Sequence, residues 1–257
     1  MNNKGVFKTK KKDNTEYYRV SITKSGKHIS LGSFSNVKDA DKCYESAHKV
    51  LNDKTINIDD YDSLKCLSFD KFIVLLNYRD NGMYISNPIY LKKNYFEYYL
   101  DKSTVLKFDR DDLFYYSKHK IIKRGNHLFC NEYGNQININ ERYSIPAYAV
   151  KDNDYVFKNK DPYDYRYSNI ELINRFHGVR KIYKNGIAKY VTKIHLNGYI
   201  KVGEFDDEIV AAVAYNKAAD FLKKKHGINF RLNMPDIPAK EYAAIYMDID
   251  LQGKYFL

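Results

Sequence analysis

The sequence predicts an α+β fold in which two small modules, each a three-stranded antiparallel sheet with one helix, flank a mixed α+β core. Three observations support this prediction. Residues 178–225 contain a short strand, a strand hairpin and an Ala-rich helical segment, in that order. The same order of elements recurs in residues 5–51. The net charge of +11 is concentrated in the two segments that hold these stretches.

The C-terminal stretch has a clear strand pattern. Residues 188–195 alternate between two sets of side chains, and residues 199–203 form a second, shorter run. One set in the first run is Tyr190, Thr192 and Ile194. A period of two is typical of a half-buried strand. The Asn-Gly pair at 197–198 is a strong hairpin signal, so the two runs predict a hairpin with one bare face.

A helix is predicted directly after this hairpin. Residues 208–225 contain no Gly or Pro. Their apolar positions, among them Ile209, Val213 and Leu222, have the spacing of a helix laid on a sheet.

This stretch resembles the AP2 family of DNA-binding domains. The resemblance rests on Gly-Val-Arg at 178–180, Gly-Glu-Phe at 203–205, the Ala-rich residues 211–219, and Asn229 and Asn233 near the family's closing Asn. It implies a three-stranded sheet that lies in the DNA major groove, with the helix packed behind it. The chain has no Trp, although family members often carry Trp in the sheet, and Lys201 stands at one such position. The family's base choice is therefore not carried over.

The N-terminal segment repeats this pattern. Gly5 and Val6 match the start of the C-terminal copy, residues 18–23 match its first long run, and residues 29–34 match its second. A turn is predicted at residues 25–27, and a helix at residues 38–51. Two copies in one chain are much harder to obtain by chance than one. The first copy also resembles AP2, with Phe7 in place of the Arg.

The charge distribution favours a polyanionic partner. Residues 1–58 carry a net charge of +6 and residues 175–235 carry +7. Residues 59–174 are neutral overall, and residues 236–257 carry −2. A basic excess confined to two modules is typical of nucleic-acid binding. The predicted organisation is an AP2-like module at 1–58, a connector at 59–100, a core at 101–174, a second AP2-like module at 175–235 and a tail at 236–257.

The core carries a second resemblance. Residues 164–172, Asp-Tyr-Arg-Tyr-Ser-Asn-Ile-Glu-Leu, are similar to a segment of HNH homing endonucleases of phage type, which often carry an AP2 module just after it. The family's central motif is absent, because Phe157 stands at its catalytic His and Tyr165 at its Asn. An HNH nuclease needs a His to deprotonate water and a bound cation to stabilise the phosphorane. We therefore expect a degenerate core with no catalytic residue, no metal site and no cofactor, and we interpret His119 and His127 as ordinary histidines.

The remaining composition indicates a reducing, DNA-containing compartment. The three cysteines are isolated, so neither a zinc site nor a disulfide framework is predicted. The N-terminus has no apolar run, and no stretch approaches the length of a membrane span. We expect an intracellular protein of the nucleus or of a viral DNA compartment. Abundant Tyr, Lys, Asn and Ile are typical of an AT-rich genome, as in large DNA viruses or some protists.

The sequence thus predicts a non-enzymatic, sequence-preferring protein of double-stranded DNA, similar to a transcription factor. Candidate contacts in the C-terminal module are Arg180, Lys181, Lys189, Lys193, His195 and Lys201. Candidates in the N-terminal module are Lys8, Lys10, Arg19, Ser21, Thr23, His28 and Ser30, with the lysines on the bare face of the sheet. Arg can read guanine and Lys mostly contacts phosphate. Two alternatives remain open: an active metal-dependent HNH endonuclease, and a packaging protein without sequence choice.

Overall fold

The computed structural model describes residues 5–64, 66–132, 134–251 and 256. Within these residues, helices alternate with small sheets, each of two or three antiparallel strands. The predicted α+β fold class is therefore confirmed. Contacts divide the chain into two compact units. The first is Met1–Ile139 with Asp161–Asn169, and the second is Asn140–Lys160 with Ile170–Leu257.

The first unit begins with a three-stranded sheet and a helix that packs on one of its faces. These elements are β1 (Val6–Lys10), β2 (Glu16–Lys24), β3 (Lys27–Phe34) and α1 (Val37–Asn52). Ser25 and Gly26 join β2 to β3 with φ angles of 48° and 76°. Two consecutive positive φ angles suit the right-handed twist of a tight hairpin. The helix begins at Asn36, whose side chain accepts a hydrogen bond from Asp39 N at 2.8 Å.

The apolar core of this module continues into a second helix. A 3-10 helix (Ile58–Leu64) precedes α2 (Phe69–Asn81). The α2 residues Phe72 and Leu75 are fully buried and join the same cluster as Ile29 of the sheet. Part of the connector predicted at 59–100 thus contributes directly to the core of the first module.

The rest of the first unit consists of short strands, 3-10 turns and one short helix. Its elements are β4 (Ile89–Leu91), β5 (Tyr95–Tyr99), β6 (Val105–Asp109), a 3-10 turn (Arg110–Asp112), α3 (Leu113–Lys118), β7 (Ile121–Arg124), β8 (His127–Glu132) and β9 (Asn135–Asn138). Residues 161–169 return to this unit beside β6. The Lys107 N donates to Tyr163 O at 2.9 Å, and Tyr165 N donates to Lys107 O at 2.8 Å. The segment ends in a 3-10 turn (Tyr167–Asn169).

The remaining elements belong to the second unit, apart from the first residue of α4. They are α4 (Ile139–Arg142), β10 (Tyr155–Phe157), β11 (Ile170–Leu172), β12 (Val179–Lys184), β13 (Ile187–His195), β14 (Tyr199–Phe205), α5 (Glu208–His226) and α6 (Ala239–Asp248). Helix α5 coincides with the helix predicted at residues 208–225. Asp207 caps its N-terminus by accepting from Ile209 N and Val210 N, and Gly227, at a φ of 73°, ends it.

Helix α6 packs against α5 in the region predicted to be a tail. The Tyr246 hydroxyl donates to Asp220 Oδ2 at 3.0 Å, and Asn216 Nδ2 donates to the Tyr242 hydroxyl at 3.0 Å. Ile249, just after α6, is buried in the same cluster as the apolar face of α5. Ile249 therefore belongs to the second unit's core, and the partly buried Tyr242, Ile245 and Tyr246 of α6 cover that core.

The two sheet-and-helix modules share a close contact between a glycine and a helix tyrosine. A Cβ atom on Gly5 would clash with the ring of Tyr44, and one on Gly178 would clash with the ring of Tyr215. In both modules the glycine carbonyl accepts a backbone hydrogen bond from the central strand, at 2.9 Å and 2.8 Å. The two copies in the sequence thus share a packing contact as well as an order of elements.

Candidate nucleic-acid interface

The sheet of β12, β13 and β14 has one covered face and one outward face. The covered face packs against α5 and includes Ile194, Ile200 and Val202. Thr192 also lies on this face, where its hydroxyl donates to Ala211 O at 2.9 Å. Because side chains alternate along a strand, the intervening residues point away from α5.

The outward face carries most of the C-terminal candidates. The strand register places Arg180 opposite Val191, and Lys193 opposite Lys201. His195 lies at the end of β13, where its ring is 5.1 Å from that of Tyr199. The outward residues with cationic side chains are Arg180, Lys184, Lys189, Lys193 and Lys201.

Two acidic residues bind part of this positive charge. Glu204 pairs with Lys184 at 2.6 Å and with Lys201 at 3.5 Å. The hydrogen bond from Lys184 lowers the pKa of Glu204. Lys189 pairs with Asp206. Arg180 and Lys193 are exposed, and neither forms an ion pair with any described residue. These two cations are therefore the ones available to an anionic partner without breaking an existing pair.

Three of the lysines predicted to contact DNA lie on the helix side of their sheets. Lys181 pairs in register with Tyr190, and Lys8 pairs with Tyr18, both of which pack towards the helix. Lys10 shares the parity of Lys8 in β1. The physical reason is the period of two, which brings every second residue of the edge strand to the helix side. The prediction that Lys8 and Lys10 lie on the bare face was wrong, and Lys181 likewise lies on the helix side.

The two misplaced N-terminal lysines are also engaged with an acidic residue. Glu16 lies 2.7 Å from Lys8 Nζ and 3.9 Å from Lys10 Nζ. The hydrogen bond to Glu16 raises the pKa of Lys8, and the same bond lowers the pKa of Glu16. Both lysines are nevertheless more than half exposed, as expected of a surface ion pair.

The outward face of the N-terminal sheet is more neutral. Arg19 is exposed opposite Phe7, and its guanidinium lies 5.6 Å from the centre of the Tyr17 ring. Thr23 and His28 are exposed cross-strand neighbours, with Oγ1 and Nδ1 3.3 Å apart. Ser30 is also exposed. Ser21 departs from the expected exposure, because its short side chain is only 8% exposed.

A cleft of about 460 Å³ opens at one end of the C-terminal outward face. The sheet contributes Arg180, Val191, Lys193, His195 and Tyr199. The opposite wall is formed by Tyr148, Asn153, Asp154, Asn174 and residues 176–178. The sequence offered no signal for this wall, since residues 148–174 were assigned to the core and residues 176–178 to the start of the second module.

Asn174 connects this wall to the edge of the sheet. Its Nδ2 donates to Asn153 O at 2.9 Å and to Asp154 Oδ1 at 3.0 Å. Its Oδ1 accepts from Lys181 N at 2.8 Å. The exposed edge of β12 is therefore partly satisfied within the chain, which protects it from pairing with another strand.

His177 forms part of the same wall as a half-buried imidazole whose Nδ1 is shielded from solvent. Its ring lies 4.8 Å from Tyr148 and 5.2 Å from Tyr215, and its Nδ1 has no hydrogen-bond partner among the described residues. Burial lowers the pKa of His177, and the nearby Arg231 lowers it further. The cleft thus brings a half-buried histidine with a lowered pKa together with the exposed cations Arg180 and Lys193.

The two positions aligned with nuclease residues are buried aromatics. Phe157 is 5% exposed and contacts the Tyr155 ring. Tyr165 is 6% exposed and stacks on Phe108 at 5.7 Å. His119 Nδ1 donates to Tyr115 O at 2.9 Å and its ring stacks on the Tyr115 ring, while His127 is exposed. Among the described residues, no group of three or more His, Cys, Asp or Glu side chains has the arrangement of a metal site.

Comparisons with protein-family models, with curated proteins and with solved structures found no match to this chain. No helix in the described part of the chain has the length and apolar character of a membrane span.

Proposed function

We propose that this protein binds double-stranded DNA with sequence preference, and that the outward face of the β12–β13–β14 sheet enters the major groove. The observation that carries the proposal is the exposure of Arg180 and Lys193 on one sheet face, free of acidic partners in the described chain. The groove is about 12 Å wide and admits a two-stranded ribbon. Arg180 is suited to a guanine edge, and Lys193 to phosphate.

The resemblance to AP2 domains supports the same orientation. In that family the sheet faces DNA and the helix packs behind it, and here α5 covers the face that carries Ile194 and Val202. The N-terminal module has the same arrangement with fewer outward cations. We propose that it adds affinity, because a linked second module raises the effective concentration of the first.

The proposal assigns no catalytic role to the core. At the positions of the nuclease His and Asn, Phe157 and Tyr165 offer no base and no amide ligand. Incubation of supercoiled plasmid with the purified chain and magnesium, manganese or zinc should leave the DNA uncut. Cleavage that is lost on changing His119 or His127 would favour the endonuclease alternative.

Selection from a random-sequence duplex pool tests the proposal. The full chain should enrich a defined motif over successive rounds. Binding without enrichment would favour a packaging protein, and failure to retain any duplex at low salt would overturn the proposal.

A further inference from the structure

The outward face of β12 and β13 alternates between cations and aliphatic side chains in two directions. Along β12 the order is Arg180, Ile182, Lys184. The cross-strand partners on β13 are Val191, Lys189 and Ile187, respectively. Each of these three cations therefore faces an aliphatic residue, and Ile182 and Val191 are each flanked by two cations on their own strand.

The aliphatic residues of this face do not contribute to the core behind the sheet. The apolar clusters that pack against α5 contain Val179, Tyr190 and Ile194 from these strands, and none of the three outward aliphatics. Ile187 is 62% exposed, and Val191 lines the open cleft beside Arg180. A single β-branched residue on a strand needs no ligand to explain it. Three of them interleaved with three cations form a patterned surface, on which Lys184 and Lys189 are paired with acidic residues and Arg180 is free of acidic partners in the described chain.

We infer that Val191 and Ile182 recognise the C5-methyl groups of thymine, so that the protein prefers duplexes in which thymine lies next to the guanine read by Arg180. This inference rests on the proposed function. In the major groove thymine is the base that presents a methyl group, and apolar side chains contact it. Directly opposed residues on antiparallel strands have Cβ atoms about 5 Å apart, and successive bases are about 3.4 Å apart, so Arg180 and Val191 can reach neighbouring base pairs.

The N-terminal sheet provides a contrast within the same chain. At the equivalent cross-strand position, Phe7 faces Arg19, so the apolar and cationic residues have exchanged strands. The next outward pair there is Thr9 with Tyr17, which offers hydroxyl groups in place of an aliphatic and a cation. Methyl recognition is therefore assigned to the C-terminal sheet alone.

Replacement of the thymine bases of a DNA duplex by uracil removes only the C5-methyl group, so it tests the inference directly. Fluorescence anisotropy would compare the full chain on a short duplex that places thymine next to guanine with the same duplex in which every thymine is replaced by uracil. Burial of one methyl group is worth about a fourfold change in affinity. We expect the uracil duplex to bind about fourfold more weakly than the thymine duplex for each methyl contacted.

Two alanine variants and one control variant test whether Val191 and Ile182 make the methyl contacts. Val191→Ala and Ile182→Ala should each bring the ratio of the two affinities closer to one. Tyr183→Ala should leave the ratio unchanged, because Tyr183 is 69% exposed on the same strand but has the parity of the helix-side face. Circular dichroism would verify that each variant is folded.

The outcomes of these measurements distinguish a failure of the methyl-recognition inference from a failure of the proposed DNA-binding function. Equal affinity of the wild-type chain for both duplexes would overturn methyl recognition while leaving DNA binding intact. A ratio that stays at its wild-type value in both alanine variants would overturn the assignment to Val191 and Ile182. No binding to either duplex would overturn the proposed function as well.

Discussion

Asn216 of α5 and Asn233 exchange two hydrogen bonds in the interior of the second unit. The Asn216 Nδ2 donates to Asn233 O at 2.8 Å, and Asn233 N donates to Asn216 Oδ1 at 2.7 Å. Asn233 then binds both backbone groups of His177 with its own side chain, at 2.7 Å and 3.0 Å. Two asparagines thereby connect the helix to His177, two residues before β12, and hold the edge of the proposed DNA-binding sheet against α5.

The first prediction concerns this connection. Asn216→Ala leaves a backbone N–H and a backbone carbonyl of Asn233 buried without partners, and each costs about 1–3 kcal/mol. The free energy of unfolding should fall by about 3 kcal/mol, measured by urea denaturation followed by circular dichroism. Asn229→Ala is the matched control, because Asn229 is exposed. Equal midpoints for the two variants would show that the connection does not stabilise the fold.

The second prediction concerns acid sensitivity at His177. Its pKa in the folded chain lies below its ordinary value of 6.5, because the ring is buried. The unfolded chain therefore takes up a proton at higher pH than the folded chain, so stability is lost as the pH falls below 6.5 and through the folded pKa. Melting temperatures measured between neutral and mildly acidic pH should fall more for the wild type than for His177→Gln.

An exposed histidine provides the control for this experiment. His127 is exposed on β8 in the first unit, so His127→Gln should keep the full pH dependence of the wild type. If His177→Gln and His127→Gln melt with the same pH profile as the wild type, protonation of His177 does not limit stability.

Much of the C-terminal module could be predicted from its sequence, because its signals are local. The period of two in β13, the Asn-Gly turn at 197–198 and the uninterrupted helix after Asp207 each depend on neighbouring residues alone. Asn197 and Gly198 indeed have φ angles of 51° and 133°. The same local signals allowed the N-terminal repeat to be recognised, and α1 extends the predicted helix by one residue at each end.

The sequence-based predictions failed where tertiary contacts determine the position of a side chain or a segment. Charge alone does not tell which face of an edge strand a lysine occupies, so Lys8, Lys10 and Lys181 were assigned to the DNA side. Asn174 forms the cleft wall only because the chain returns beside β12 after β11, and no short-range pattern reports that return. Helix α6 was missed because its partner surface on α5 lies in another part of the sequence.

The third prediction separates the roles of the two modules. One good bidentate contact to a base is worth about 1–3 kcal/mol of discrimination, whereas phosphate contacts carry no sequence information. Arg180→Ala should narrow the difference in affinity between a selected site and scrambled DNA. Arg19→Ala should weaken binding to both duplexes about equally. Both affinities would be measured by fluorescence anisotropy. If instead Arg19→Ala narrowed the difference and Arg180→Ala weakened binding to both duplexes equally, the roles assigned to the two modules would be reversed.

The fourth prediction uses two lysines of one module that differ in the face they occupy. Lys193 is outward and Lys181 lies on the helix side. Loss of one phosphate contact reduces the slope of log affinity against log salt by about 0.9. Lys193→Ala should show this reduction, and Lys181→Ala should keep the wild-type slope. Equal slopes for the two variants would mean that the outward face is not the one that meets phosphate.

The affinity of the full chain for duplex DNA across a salt titration tests the central claim most directly. Cations that neutralise phosphates release counterions, so the logarithm of the association constant should fall linearly with the logarithm of salt concentration, by about 0.9 for each phosphate contacted. A steep linear fall is the predicted result. An affinity that stays constant as salt rises, or no duplex binding at low salt, would contradict the account.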